Sequence, residues 1–303
     1  MGTWLRAQVV AANREAGAAA IEAAFAEVAR LESLLSSWRG DSEVSRINRA
    51  VPGVPVQVER VVFELLSEVW EWGRGSDGAF DPALGALIEV WDLRGAGRHP
   101  SAVELEQARK LSGLDSFRFL PSAGSVVRSQ PGSWMSSGGF GKGAALRAAR
   151  RVLLAAGVRS ALLDFGGQLL AVGSAPGRDG WRIAVAHPSR RFEAAAWLDV
   201  GNRSVATSSA SERFMEIGGD RYGHILDPRS GRPTPAWGSV TVVADDPLLA
   251  DLASTTLFVL GPEEGAAWAK QREDIGVLFL WEEEGRVVAW NRNMAVWLTE
   301  SED

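Results

Sequence analysis

Hydrophobic side chains in the first third of the chain recur mainly at the spacing of a helix. Residues 3–12 alternate loosely between apolar and polar positions, which predicts a strand, and residues 16–36 then carry apolar side chains on one helical face. The same spacing predicts helices over residues 61–74 and 103–113. Residues 37–48 predict a loop that leads into a short turn of helix.

Short apolar runs separated by glycine and proline follow in the middle of the chain. Such runs are typical of strands joined by tight turns. Strands are predicted at residues 117–120, 125–129, 161–172, 181–186 and 239–244. The 161–172 run reads as two strands joined through Gly166 and Gly167, and a helix with Asp251 near its start is expected to follow residue 244.

The composition is that of a soluble globular protein. The chain has 303 residues, of which 46% are hydrophobic and 23% charged, so it can bury a large core. Its formal net charge is -6 and it has no long run of lysine and arginine, which argues against nucleic acid or an anionic membrane as the main partner. A small-molecule ligand is expected instead.

No stretch of the sequence has the character of a membrane span or an export signal. No window reaches roughly 18 consecutive apolar residues. The start, M-G-T-W-L-R, lacks a basic segment followed by an apolar one. As written, the sequence predicts a cytoplasmic protein without membrane insertion.

The absence of cysteine excludes disulfides, thiolate metal sites and cysteine nucleophiles. The three histidines, His99, His187 and His224, lie far apart in the sequence. A metal site built from several histidines is therefore not expected. A hard cation held by oxygen ligands, with Mg²⁺ as the first choice, is the metal that the sequence favours.

The segment G-H-I-L-D-P, residues 223–228, is the strongest candidate for chemistry. His224 stands three residues before Asp227, and Pro228 disfavours helix at that aspartate, so an imidazole and a carboxylate can flank one substrate. The alternative is structural: His224 ends a strand, and Asp227 opens a turn that residues 229–233 complete.

Three further features have both a functional and a structural interpretation. Residues 135–143 form a glycine-rich turn that opens an alanine-rich helix, and its free amides with Lys142 predict a phosphate site. Asp251 and Thr255, at positions i and i+4, predict oxygen ligands on one helical face, unless Thr255 bonds its own backbone. Trp38 is either a core residue or a stacking platform.

Several motifs occur together in one order: M-G-T, S-S-W-R-G-D-S-E-V-S-R-I-N, G-A-F-D-P, G-G-x-x-K-G, G-G-x-L-L-A-V-G, A-T-S, H-I-L-D-P-R-S-G-R-P and A-D-x-x-x-T. Together they resemble the ApbE family of FAD:protein FMN transferases over residues 1–261. The last two motifs are the most specific part of this resemblance.

The resemblance implies an enzyme that uses FAD and Mg²⁺ to move FMN onto a threonine or serine hydroxyl of a flavin-acceptor protein, with release of AMP. It implies an α+β fold in which two sheet-bearing lobes flank an FAD cleft. The expected organisation is a single domain over residues 1–303, with residues 262–303 as a C-terminal extension.

The resemblance also implies roles for individual residues. The magnesium ligands would be Asp251, Thr255, and the backbone at Ser254 and Gly139. FAD would contact Met1, Trp38, Ala79, Phe80, Asp81, Ser136, Lys142 and Ile225. His224 and Asp227 would lie beside the reacting phosphate, and the resemblance does not decide which of them is the base.

The sequence departs from the family pattern at several positions. Ser136 and Arg147 replace acids, and the usual G-G-D ends in Gln168; Ala83 and Ser209 replace a threonine and a glycine. A lost carboxylate removes a hydrogen bond of about 1 to 3 kcal/mol if it is buried, which predicts altered FAD binding. Two alternatives follow, an FAD pyrophosphatase that uses water and a non-catalytic FAD-binding protein.

Members of the family are often exported lipoproteins. This chain begins at the M-G-T strand and contains no cysteine. Either it works inside the cell or its true start lies upstream.

Overall fold

The computed structural model describes residues 2–209, 214–217 and 220–299. The chain divides into two compact units, the first made of three segments of the sequence and the second of two. The first unit contains Met1–Leu31, Lys142–Glu212 and Trp237–Asp303, and the second contains Glu32–Gly141 and Arg213–Ala236. The single domain expected from the sequence stays a prediction.

Helices and strands are both abundant in the described residues. The helices are α1 (Arg14–Leu35), α2 (Glu43–Arg49), α3 (Arg60–Arg74), α4 (Gly85–Val90), α5 (Ala102–Lys110), α6 (Gly141–Ala155) and α7 (Pro247–Ala269). The strands are β1 (Leu5–Val10), β2 (Pro55–Gln57), β3 (Phe117–Leu120), β4 (Ser125–Arg128), β5 (Ser160–Phe165), β6 (Gln168–Val172), β7 (Trp181–Ala186), β8 (Ala194–Val200), β9 (Ser204–Ser209), β10 (Phe214–Ile217), β11 (Asp220–Gly223), β12 (Leu226–Asp227), β13 (Arg232–Pro233), β14 (Ser239–Ala244), β15 (Ile275–Glu283), β16 (Arg286–Arg292) and β17 (Leu298–Thr299).

The first unit is built on a seven-stranded antiparallel sheet with the order β1-β5-β6-β9-β14-β15-β16. Side chains alternate between its faces, as the pleat of a strand requires. In β6, Leu170 and Val172 pack in one core with residues of α1 and α6, whereas Leu169 and Ala171 pack in another with β7 and β8. Strands β17, β8 and β7 form a three-stranded sheet.

Helix α7 lies along β9, β14 and β15 in the first unit. It is interrupted at Gly261, whose φ of 76° is disfavoured for residues with a Cβ atom, and Pro262 follows directly. The residues after this break complete α7 and form β15, β16 and β17. The segment expected as a C-terminal extension therefore contributes two strands to the large sheet.

The second unit contains α2 to α5, a three-stranded sheet of order β2-β4-β3, and the short hairpins β10–β11 and β12–β13. Trp70 of α3 packs edge-on against Phe117, with the ring centres 5.7 Å apart, and its Nε1–H donates to the carbonyl of Leu114. A second cluster joins Leu87 of α4 to Ala108 of α5 and to other buried side chains.

The hydrophobic pattern predicts much of this secondary structure. Helices α1, α3 and α5 and the hairpin through Gly166 and Gly167 are confirmed. Helix α4 is missed because it has six residues and begins after Leu84, which makes no side-chain capping bond. Among the helices of the described residues, none is both long and apolar enough to cross a membrane.

Candidate functional site

The helix that carries Asp251 begins at a local cap. Oδ1 of Asp246, the residue before α7, accepts a 3.0 Å hydrogen bond from the amide of Leu248. Pro247 occupies the first helical position, where no intrahelical amide bond is lost. Asp251 therefore lies one turn into a helix whose start the local sequence fixes.

The Asp251 carboxylate lies at the N-terminus of α6. Its Oδ2 accepts a 2.8 Å hydrogen bond from the amide of Gly143, and Nζ of Lys142 lies 3.9 Å from Oδ1. The amides of a helix N-terminus carry partial positive charge, which stabilises a carboxylate there. The Gly143 amide is therefore not free for a phosphate, because it bonds Asp251, and the phosphate site predicted at this turn stays a prediction.

Glycine is required at position 143. A Cβ atom there would lie 2.5 Å from the carbonyl oxygen of Pro247 and 2.8 Å from Cβ of Asp251. Any larger residue would have to move α6 away from α7. The close approach of the two helices is what brings the Gly143 amide to the carboxylate.

Burial controls the protonation of Asp251, whose side chain is almost fully buried. Desolvation raises the pKa of this carboxyl, and the Lys142 ammonium and the amides of Gly143 and Lys142 partly oppose that shift. A cation against this carboxylate would stabilise its ionised form. The side chain therefore suits a positively charged ligand.

Two hydroxyls adjoin Asp251 on α7. Those of Ser254 and Thr255 donate to the Asp251 carbonyl at 3.0 and 3.2 Å, so the backbone-bonding alternative for Thr255 is confirmed. The Ser208 hydroxyl on β9 donates to that of Ser254 at 3.0 Å. Each oxygen keeps acceptor capacity, because a hydroxyl has one proton and two lone pairs.

These oxygens fit a hard divalent cation. Magnesium in proteins is often held by one or two carboxylates together with waters and substrate phosphates. Within residues 2–209, 214–217 and 220–299, no group of three or more His, Asp or Glu side chains is arranged to hold a metal ion. A cation here would rely on Asp251 with hydroxyl, backbone and non-protein oxygens, and the metal assignment stays a prediction.

In the second unit, the loop before α4 carries three predicted FAD contacts. Oδ1 of Asp81 accepts a 2.6 Å hydrogen bond from the amide of Ala83. Burial raises the pKa of Asp81 to about 6, although the amides of Ala83 and Leu114 oppose the shift. The side chains of Ala79 and Phe80 are buried, so a nucleotide contact at these residues would involve their backbone atoms.

The backbone around Ser136 is bonded to two of the other motifs. The Ser136 amide donates a 2.8 Å hydrogen bond to the carbonyl of Pro82, next to Asp81. The Asn48 side chain makes bonds of 2.8 and 2.9 Å with the amide and carbonyl of Met135. The sequence does not predict this role of Asn48, because an asparagine within a helix gives no signal for a partner 87 residues away. Gly139 lies in the turn before α6 in the same unit.

Trp38 is exposed, and the core interpretation of this residue is wrong. Its relative exposure is 70%, and the Arg94 guanidinium lies 4.1 Å from the centre of its ring. The same guanidinium lies 4.5 Å from the centre of the Trp134 ring, and its Nη2 donates a 2.7 Å bond to the Ser37 hydroxyl. The structure thus supplies the exposed indole that a stacking platform needs.

His224 and Asp227 belong to a tight turn in the second unit. His224 is half-buried and directly follows β11, and Asp227 ends β12. Oδ1 of Asp227 accepts bonds of 2.9 Å from the amide and 3.0 Å from Nε of Arg229, and the Gly231 amide donates to the Asp227 carbonyl at 2.8 Å. The turn interpretation of Asp227 is confirmed, and the catalytic role of the pair stays a prediction.

Residues distant in sequence hold this turn. The Arg109 guanidinium of α5 donates to the carbonyls of Arg229 and Ser230, at 3.0 and 3.4 Å. The carbonyl of Ile225, a predicted FAD contact, accepts both the amide and the hydroxyl of Thr234. The sequence does not predict this role of Arg109, since an arginine in the last turn of a helix is ordinarily attributed to the helix dipole.

The predicted site residues are distributed over both units. Lys142, Asp251, Ser254 and Thr255 belong to the first unit, where they lie together. The second unit holds Trp38, Ala79, Phe80, Asp81, Ser136, Gly139, His224, Ile225 and Asp227. Met1 lies outside the described residues.

Comparison with known proteins decides the family. The sequence profile described as the ApbE family matches residues 1–279. The chain belongs to the ApbE family. It is 34% identical over 259 residues to the FAD:protein FMN transferase of Klebsiella pneumoniae (strain 342), covering 84% of this chain and 80% of that protein.

Solved structures of ApbE proteins share the fold. The apo crystal structure of the flavinyl transferase ApbE from Pseudomonas stutzeri has a TM-score of 0.85 and 30% identity, covering 97% of this chain and 93% of that chain. The ApbE protein of Thermotoga maritima gives 0.87 and 29%, covering 95% and 93%. The α+β fold implied by the sequence motifs is confirmed.

Three residues that differ from the ApbE motifs form hydrogen bonds or ion pairs within the fold. Gln168 is 2% exposed, and its Nε2 donates a 2.8 Å hydrogen bond to the carbonyl of Pro247. Arg147 forms a two-point ion pair with Asp246. The Ser136 hydroxyl accepts the amide of Gly138 at 3.3 Å. These three side chains therefore have hydrogen-bond partners within the fold, although the sequence alone indicates only lost carboxylates.

Proposed function

We propose that this chain is an FAD:protein FMN transferase that depends on Mg²⁺ and modifies a threonine or serine hydroxyl of a target protein. Membership of the ApbE family, whose curated relatives carry this name, is the observation that carries the proposal. The buried Asp251 carboxylate with its neighbouring hydroxyls supports the metal requirement.

The proposed reaction is a displacement at the phosphorus atom of the FMN half of FAD. The acceptor hydroxyl oxygen forms a bond to this phosphorus, and the bond from phosphorus to the bridging oxygen breaks. That oxygen leaves with AMP, and the hydroxyl proton passes to a base, for which His224 and Asp227 are the candidates. A bound Mg²⁺ supplies charge neutralisation at the phosphate oxygens.

The proposed ligands divide by chemistry. Asp251, Ser254, Thr255 and the backbone at Gly139 are assigned to the cation. Met1, Trp38, Ala79, Phe80, Asp81, Ser136, Lys142 and Ile225 are assigned to FAD. The exposed indole of Trp38 suits an aromatic ring of FAD, and the Lys142 ammonium suits a phosphate.

The test combines FAD, Mg²⁺ and a purified flavin-acceptor domain, and records acceptor mass and AMP release together. The expected result is a mass gain of one FMN per acceptor with equal AMP release, both lost on adding EDTA. AMP release without a mass gain would identify an FAD pyrophosphatase. Bound FAD with neither product would identify a non-catalytic binder.

A matched pair of variants tests the metal assignment. Asp251→Asn removes the buried charge and is expected to reduce Mg²⁺-dependent transfer to background. Asp245→Asn removes a carboxylate that is 73% exposed and pairs with Arg203, and is expected to leave transfer unchanged. If Asp251→Asn transferred FMN at the same rate as Asp245→Asn, the assignment of Asp251 as a metal ligand would be overturned.

A further inference from the structure

We propose that Arg147 and Gln168 are positioning residues, which hold the first turn of α7 and thereby aim the Asp251 carboxylate at a bound Mg²⁺ ion. The inference rests on the proposed metal role of Asp251. Neither side chain is among the ligands assigned above, and both stand where the sequence differs from the motifs of the family. Their contacts converge on adjacent residues, Asp246 and Pro247.

Arg147 holds the cap of α7. Its Nε donates a 2.7 Å hydrogen bond to Oδ1 of Asp246, and its Nη2 bonds the other carboxylate oxygen. Oδ1 also accepts the amide of Leu248, so one carboxylate joins the guanidinium of α6 to the first amide of α7. Such two-point pairs fix orientation as well as distance.

Gln168 holds the neighbouring residue from the sheet. Its Nε2 donates a 2.8 Å hydrogen bond to the Pro247 carbonyl and lies 3.4 Å from the Ser204 hydroxyl. Oε1 of Gln168 is buried and has no hydrogen-bond partner within the described part of the chain.

The geometry of α6 links these contacts to the carboxylate. Gly143 and Arg147 are four residues apart and therefore share one face of α6. On that face, the Gly143 amide bonds Asp251, and Arg147 bonds Asp246. The two bonds fix both the separation and the register of α6 and α7. Loss of the Arg147 or Gln168 contact frees the first turn of α7 and loosens the Gly143–Asp251 bond.

The orientation of the Asp251 carboxylate matters more for Mg²⁺ than for Ca²⁺. Mg²⁺ requires a nearly ideal octahedron at about 2.0 to 2.1 Å, whereas Ca²⁺ accepts flexible geometry at about 2.3 to 2.6 Å. A loosened carboxylate should therefore lose Mg²⁺ affinity and keep most of its Ca²⁺ affinity. A variant that merely lowered the stability of the whole fold would not change the ratio of the two affinities in this way.

The experiment measures Mg²⁺ and Ca²⁺ binding by calorimetry, without FAD or acceptor. In Arg147→Ala and Gln168→Ala, the Kd for Mg²⁺ is expected to rise about 10-fold or more, with a change in the Kd for Ca²⁺ of less than about 3-fold. Asp246→Asn keeps a capping oxygen but removes the ion pair, and should match Arg147→Ala. Arg151→Ala, an exposed residue of the same helix, should change neither Kd.

A second measurement does not involve a metal. Amide hydrogen exchange at Gly143, followed by NMR, should become faster in Arg147→Ala and Gln168→Ala relative to the other amides of α6, and not in Arg151→Ala. Unchanged exchange at Gly143 would overturn the inference. An equal loss of affinity for both cations would also overturn it.

Asp251→Asn separates this inference from the proposed function. If Asp251→Asn loses Mg²⁺ binding while Arg147→Ala and Gln168→Ala keep it, the positioning role fails and the metal role of Asp251 stands. If Asp251→Asn binds Mg²⁺ as the unaltered protein does, both fail. Lack of Mg²⁺ binding by the unaltered protein, both without FAD and with saturating FAD, would also overturn the positioning role.

Discussion

The indole of Trp91 donates a 2.9 Å hydrogen bond from Nε1 to the carbonyl oxygen of Gly231, a residue 140 positions further along the chain. Trp91 directly follows α4, and Gly231 lies in the turn that Asp227 opens. Gly231 has a φ of 70°, and a Cβ atom there would lie 3.0 Å from the Arg109 side chain. The turn beside His224 is thus held by a buried hydrogen bond from Trp91.

Trp91→Phe tests whether this bond holds the turn. Phenylalanine retains an aromatic ring in the cluster with Tyr222 and His99 but leaves the Gly231 carbonyl without its donor. We expect the free energy of unfolding to fall by about 1 to 2 kcal/mol. We also expect slower FMN transfer at saturating FAD, because the proposed base lies in this turn. Urea unfolding and initial rates provide the two measurements.

Trp4→Phe is the control, since Trp4 is 47% exposed. Trp4→Phe should change neither the free energy of unfolding nor the rate of FMN transfer. A Trp91→Phe variant with unaltered kcat would show that the turn keeps its geometry without this bond.

The variant Gly85→Ala tests how closely α4 packs against the indole of Trp134. Replacing glycine by alanine in a helix usually stabilises a protein by about 0.5 to 1 kcal/mol. At Gly85, however, the new Cβ atom would overlap ring atoms of Trp134, the indole that contacts Arg94. We therefore expect Gly85→Ala to destabilise by about 1 to 3 kcal/mol, measured by urea unfolding.

Gly17→Ala is the matched control for this experiment. Gly17 is also buried in a helix, but among the described residues its added Cβ would meet only Ala11 at 3.4 Å, an ordinary contact distance. This variant should be more stable than the unaltered protein. A stabilising effect at both glycines would mean that Trp134 can shift without loss.

The sequence predicts local relationships and misses distant ones. Asp251 and Thr255 share a face because they are four residues apart, and this follows from helix geometry alone. The Gly143–Asp251 bond joins residues 108 positions apart and depends on the packing of α6 against α7, which no local pattern encodes. For the same reason, the change to Gln168 looks like a loss in sequence, although the structure gives its amide a partner.

The exposure of Trp38 could not be predicted from its residue type. Tryptophan is usually buried, so composition favours the core for any one of the 13 in this chain. In the structure Trp38 is exposed, and its ring contacts the guanidinium of Arg94. This partner lies 56 residues away in the sequence, so no local pattern indicates it.

Arg94→Met tests the proposed stacking role of Trp38. Burial lowers the pKa of Arg94, so its partly desolvated charge interacts more strongly with the indole. Methionine removes this charge and the bond to Ser37 but keeps an extended side chain. We expect FAD affinity, measured by quenching of flavin fluorescence, to fall by about 3- to 10-fold.

Arg60→Met is the control for Arg94, because the Arg60 side chain is 91% exposed. It should bind FAD as the unaltered protein does. Unchanged affinity in Arg94→Met would argue that Trp38 either holds its position without the cation or does not contact FAD.

Asp81 gives a prediction for the pH dependence of stability. Burial raises its pKa in the folded protein to about 6, from 3.8. Between these values the folded state binds more protons than the unfolded state, so the free energy of unfolding falls as pH rises through this window. Asp81→Asn keeps an oxygen to accept the Ala83 amide and removes the charge. Relative to this variant, the unaltered protein should lose up to about 3 kcal/mol between pH 4 and pH 7.

Urea unfolding of both proteins at several pH values measures this difference, and comparison at each pH cancels the titration of other carboxylates. Asn at position 81 should be the more stabilising residue at neutral pH, with an advantage that shrinks toward pH 4. Asp77→Asn, in the same loop and exposed, controls for the removal of one negative charge. If the free energies of unfolding of Asp81→Asn and the unaltered protein differed by the same amount at every pH, Asp81 would not be desolvated as the structure indicates.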